Sequence, residues 1–126
     1  MTMFKLMKDK YKIMGIKVVH CRKEPYDIYI GRPRKGEHWG FGNPFVIGID
    51  GDRETVVMKF REWIINGKTF DCKDAQEYRR EWILNNILLL KDKTLGCFCS
   101  PLACHGDILI ELLNSALDKR LTQTII

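Results

Sequence analysis

Leu95-Gly96-Cys97-Phe98-Cys99-Ser100-Pro101-Leu102-Ala103-Cys104-His105-Gly106-Asp107 is the stretch that decides the fold. Thr94 to Cys99 predicts a strand, against which only Gly96 counts, and Pro101 breaks it. A helix follows from His105 or Asp107 to about Leu117, with Ile108, Leu109, Leu112, Leu113 and Ala116 recurring on one face. A strand that feeds a helix able to cross back over its sheet lies centrally in an α/β domain. Such a sheet carries its ligand crevice at the carboxyl ends of the strands, where this run turns.

Outward from that stretch, Ile16–His20 and Tyr26–Ile30 have the apolar, β-branched character of two further strands. Residues 31–44 form a long shaped loop containing Gly31, Pro33, Gly36, Gly40, Gly42 and Pro44, anchored by His38, Trp39 and Phe41. Phe45–Ile49 is a short apolar, extended run. Asp52 caps a helix that carries Val56, Phe60, Trp63 and Ile64 and ends at Gly67. A second helix spans about Asp74 to Leu90, with Tyr78, Trp82 and Leu89 as its seam, widened by Ile83, Ile87 and Leu90. The order predicts one compact α/β domain over 14–118: a small central, mostly parallel sheet flanked by helices, with an extension at 1–13 and a tail at 119–126.

With 126 residues the chain suits one core and is too short for two. No apolar run is long enough to span a bilayer, and the N-terminus lacks a signal-peptide pattern. Five unevenly spaced cysteines argue against an oxidised framework and for a cytoplasmic setting. The net charge of +5 is concentrated at the front: residues 1–23 carry seven Lys or Arg against one acid, whereas 24–126 sum to −1. Lys5, Lys8, Lys10, Lys12 and Lys17 could therefore track phosphates as an arm, with nucleic acid as partner through residues 5–23.

Cys97 and Cys99, two apart, point to one face of a strand, and Phe98 to the other. Cys104 falls at the start of the helix, where free N–H groups favour an anion or a thiolate. Three readings stand side by side. Cys97, Cys99, Cys104 and His105 could bind zinc, although the spacing of two is tighter than the usual Cys-x2–4-Cys pattern. Cys99 or Cys104 could be a reactive thiol with His105 as its proton-transfer partner. Alternatively, Cys97 packs as a small hydrophobe while Cys99, Cys104 and His105 shape a pocket. Asp107 could cap the helix or orient the imidazole.

In the loop, Gly31 and Gly42 allow close approach of backbone to a ligand. Arg32 offers a fork suited to phosphate or carboxylate, and Trp39 a stacking face. Asn43, before Pro44, fixes the turn or bonds a ligand. Arg34 and Lys35 add positive charge. Neither G-x-x-x-x-G-K-[ST] nor a G-x-G-x-x-G after the first strand is present, so phosphoryl transfer is not favoured. Parallel strands would bring this loop and the cysteine run to the same sheet edge. His20-Cys21 could sit near that site or equally take a core or rim position, Cys72 stands alone as a structural residue, and Glu54 would serve as a base only if its helix starts over the loop.

Tyr29-Ile30-Gly31-Arg32, Gly42-Asn43-Pro44-Phe45 and Leu95-Gly96-Cys97-Phe98-Cys99-x-Pro101-x-x-Cys104-His105-Gly106-Asp107 together resemble the DUF4326 family, small proteins of bacteria, archaea and their viruses. The resemblance covers about residues 16–115 and implies a single domain of cellular or viral origin. It marks these residues as a signature and implies no activity. The leading expectation is a site for a nucleotide or another phosphorylated, nucleobase-containing small ligand, with or without turnover and with no obligatory cofactor. The alternative is a non-enzymatic nucleic-acid or protein-binding module with structural zinc and a basic arm.

Overall fold

A computed structural model of the chain describes residues 16–100 and 102–125. The leader at 1–13, with Lys5, Lys8, Lys10 and Lys12, lies outside the described residues. Strand β1 is Lys17–His20 and β2 is Ile28–Tyr29; helix α1 is Arg53–Asn66 and α2 is Glu77–Asn86, continued by a 3-10 turn at Ile87–Leu90. Strand β3, Thr94–Cys97, and helix α3, His105–Ile125, complete the described chain.

The sheet has the order β1-β3-β2, and both outer strands run parallel to β3. This is the small parallel sheet flanked by helices that the sequence predicts, with the cysteine-bearing strand in the centre. The β1–β2 connection is unusually short for parallel strands, which ordinarily need a dozen or more residues. Cys21 N donates to Cys97 O at 3.1 Å at one end of β3, and Asp27 N donates to Thr94 O at 2.8 Å at the other. The segment between them crosses the face of β3. Gly96 makes that possible: a Cβ there would lie 2.5 Å from Tyr26 Cγ. The residue that weakened the strand prediction is thus where the Tyr26 ring of the crossover closes on the strand.

The opposite face of the sheet packs on the helices. Leu95 shares one buried cluster with Phe60, Trp63 and Ile64 of α1, Ile83, Ile87 and Leu90 around α2, and Leu109 and Leu113 of α3. Each such side chain contributes about 1.5–3 kcal/mol by burial. Helix α1 has its expected caps: Asp52 Oδ1 accepts from Thr55 N at 2.9 Å, and Gly67 closes the helix at φ 69°. The first turn of α3 sits hard against the sheet, since a Cβ on Gly106 would lie 2.8 Å from both Ile30 Cδ1 and Val18 Cγ2.

Five local expectations need correction. The central strand ends at Cys97 rather than Cys99, and the second strand shrinks to Ile28–Tyr29. Phe45–Ile49 is not extended; Asp50 captures Val46 N at 2.8 Å and Gly48 N bonds Gly51 O, curling the segment into a turn. On α2 the core takes Ile83, Ile87 and Leu90, leaving Tyr78 and Leu89 exposed. That face lies one residue round from the predicted seam, and the tighter 3-10 turn keeps Leu90 inward. Helix α3 runs on to Ile125, past Leu117, because no Gly or Pro interrupts it. Among the described residues no helix is long and apolar enough to cross a membrane.

Candidate functional site

The carboxyl ends of β2 and β3 and the starts of α1 and α3 enclose a cleft of about 830 Å³. Gly31, Arg32, Asn43, Cys97, Cys99, Cys104 and His105 all line it. Two distant segments chosen from the sequence therefore share one site, as parallel strands require. Cys21 also lines it.

The sulfur atoms of Cys97, Cys99 and Cys104 lie within 4.8 Å of one another. Cys97 and Cys104 are buried and Cys99 is partly exposed. All five cysteines are free thiols, although Cys104 Sγ and Cys97 Sγ are 3.2 Å apart. The placement of Cys104 follows from helix capping. It immediately precedes α3, and its sulfur accepts from Gly106 N at 3.3 Å.

Three adjacent thiolates repel, so the cluster divides its protons unequally. Cys104 donates its hydrogen to its neighbours and is held far above the ordinary thiol range by those bonds, with burial adding to the effect. Cys97, accepting from Cys104 and then influenced by His105, is lowered to about 3. Cys99 falls to about 6, again chiefly through Cys104, with Arg53 contributing. A dication at the centre would replace Cys104's proton as the charge that holds the sulfurs together. Tetrahedral zinc–thiolate bonds of ~2.3 Å imply sulfur separations of about 3.8 Å. That value lies between the 3.2 Å Cys97–Cys104 distance and the 4.8 Å upper limit of the cluster. The cysteine cluster is thus positioned to chelate a metal ion.

His105 has a different job from its neighbours. It is buried, and Nε2 approaches Ile30 O at 2.8 Å and Phe41 O at 3.0 Å. Carbonyls only accept, so Nε2 carries the hydrogen and Nδ1 faces Cys104 Sγ at 3.6 Å. The ring also packs edge-on against Phe60, with centroids 5.1 Å apart. His105 therefore clamps the end of β2 to the long loop. It is not among the donors that lie mutually within 4.8 Å.

Asn43 fixes a turn: Oδ1 accepts from Phe45 N at 2.9 Å, and Nδ2 reaches Val56 O at 3.4 Å. Arg32 donates to Pro44 O at 3.2 Å from an exposed position. Trp39 turns away from the cleft toward α2, where the Arg79 guanidinium stacks 4.3 Å from its ring centre. Gly42 and Asp107 do not line the cleft, and neither does Glu54. Gly42 is instead a packing residue, since a Cβ there would lie 3.0 Å from Gly31 O. Asp107 stands in the first turn of α3 with N donating to Cys104 O at 3.0 Å.

The sequence reading missed Arg53. It is the first residue of α1, lines the cleft, and reaches Ala103 O at 3.4 Å. A cation at a helix N-terminus opposes the helix dipole, which was the available signal that it answers to something else. With Arg22, Arg32 and Arg34 it gives the cleft, among the described residues, four guanidinium groups against one carboxylate, Glu37.

The family described as Domain of unknown function (DUF4326) matches residues 16–115. Uncharacterized protein R718 of Acanthamoeba polyphaga mimivirus is 30% identical over 99 residues, 68% of this chain and 65% of that protein. The "Uncharacterized 12.4 kDa protein in nrdA-td intergenic region" of Enterobacteria phage T4 is 30% identical over 100 residues, 78% of this chain and 77% of that one. The chain thus spans just under two thirds of the mimivirus relative's length and about three quarters of the phage relative's. No solved structure matches. The match runs from β1 into α3 and takes in the whole cysteine cluster, and on it the chain belongs to the DUF4326 family.

Proposed function

We propose that this domain is a metal-binding module whose Cys97, Cys99 and Cys104 hold one zinc ion at the floor of the cleft. The observation that carries it is the convergence of three sulfurs within 4.8 Å of one another. Soft thiolate donors select zinc or copper(I) over magnesium or calcium. Metal analysis of the full chain purified without chelator tests this. One zinc per chain is the expected result, lost in Cys97→Ser and Cys104→Ser. A folded chain that carries no metal and takes up none on addition of zinc refutes it.

A second reading is favoured by the four arginines lining the cleft. They suit a small phosphorylated ligand, and the cleft has room for a nucleotide. The stacking base would then need a partner other than Trp39, and Tyr29 lines the cleft. A thermal-shift screen of nucleotides and sugar phosphates on wild type and Arg32→Ala tests it; absence of any wild-type response refutes it. If turnover accompanies binding, Cys99 is the better nucleophile candidate, because Cys104 holds its proton tightly. Nucleic-acid binding by the basic arm is tested by comparing the full chain with one beginning at Met14; equal, weak binding of duplex and single-stranded DNA sinks it.

A further inference from the structure

Building on the metal reading above, we propose that the ion held by Cys97, Cys99 and Cys104 keeps one coordination position turned into the cleft, filled by a phosphate-ester ligand held against Arg53. Zinc takes four donors, and a structural site supplies all four from protein. Among the described residues the cysteine cluster supplies three. His105 is the adjoining nitrogen, and its ring is pinned by hydrogen bonds from Nε2 to Ile30 O and Phe41 O. Swinging Nδ1 inward to complete the set would break both bonds in a buried position. The fourth donor therefore comes from the side that is open. Cys97, Cys99 and Cys104 all line the cleft, so that side is the cleft.

Charge selects the ligand class. A dication with three thiolates carries one net negative charge and by itself repels an anion. Arg53 offsets this beside Cys99, and its contact with Ala103 O, at 3.4 Å, is long and leaves other N–H groups to donate. Arg22, Arg32 and Arg34 extend the same field, with Glu37 as the one acid among the described lining residues. At about 830 Å³ the cleft is far larger than a bare phosphate requires, which leaves space for an organic group on the ester.

The test uses the full chain loaded with cobalt(II), whose visible spectrum reports its donors, titrated with phenyl phosphate and separately with azide. Thiolate-to-cobalt charge-transfer bands are expected first. Both probes should then shift the d–d bands saturably. Arg53→Ala should weaken the phenyl phosphate response about tenfold, the scale of losing one charge-assisted hydrogen bond, and Arg53→Lys should recover part of it. Charge-transfer bands with d–d bands unmoved by either probe would overturn the open position while leaving the metal site standing. A response to azide alone would overturn the assignment of the ligand. Absence of charge-transfer bands would remove the metal reading and this inference with it.

Discussion

Replacing His105 by leucine removes the donor that ties Ile30 O and Phe41 O together while keeping most of the side-chain volume. Both carbonyls belong to buried residues. An unsatisfied buried polar group costs about 1–3 kcal/mol, and since one N–H serves both carbonyls the loss should total about 2–4 kcal/mol. That is a large share of the 5–15 kcal/mol that roughly describes a domain of this size. With a urea m-value of about 1.5–2 kcal/mol/M, the midpoint should fall by about 1–3 M. His105→Gln retains an amide donor at a similar reach and should cost about 1 kcal/mol. Tryptophan fluorescence gives the assay, because Trp63 packs on Phe60, which packs on the imidazole. If the leucine variant unfolds within about 0.5 kcal/mol of wild type, or leucine and glutamine are equally damaging, the clamp argument is wrong.

Zinc affinity should rise with pH. At pH 7.5 Cys97 and Cys99 are already thiolates, so only Cys104 must lose a proton; affinity should climb about tenfold per pH unit, steepening below pH 6 as Cys99 takes up its own. Buffer-dependent calorimetry counts the protons, and release of three per ion at pH 7.5 would show three ordinary thiols. Gly96→Val should displace Tyr26 and loosen the crossover, read as faster amide exchange over residues 21–29; unchanged protection would mean the ring moves aside freely. Gly106→Val should be more destabilising than Gly36→Val in urea unfolding, because Gly106 faces Ile30 and Val18 whereas nothing lies within 4 Å of a Cβ on Gly36, despite its φ of 85°.

The sequence by itself determined the features whose causes are local. Alternation predicts that Phe98 faces away from Cys97 and Cys99; Phe98 does end up exposed between His20 and Tyr29, although the strand itself stops at Cys97. Asp52 and Gly67 announced the limits of α1 through capping chemistry. The order of strands and helices was enough to place β3 centrally and to bring the loop after β2 to the same edge. Only the tertiary structure decided what meets there. Arg53 reaches Ala103 across fifty positions, and His105 joins carbonyls at residues 30 and 41. Such contacts leave no trace in spacing or periodicity, because they depend on how helices dock on the sheet. The same docking turned Trp39 toward α2 and chose one face of that helix over its neighbour. It also drew Cys104 to within 3.2 Å of Cys97, which turned a run of three cysteines into a cluster.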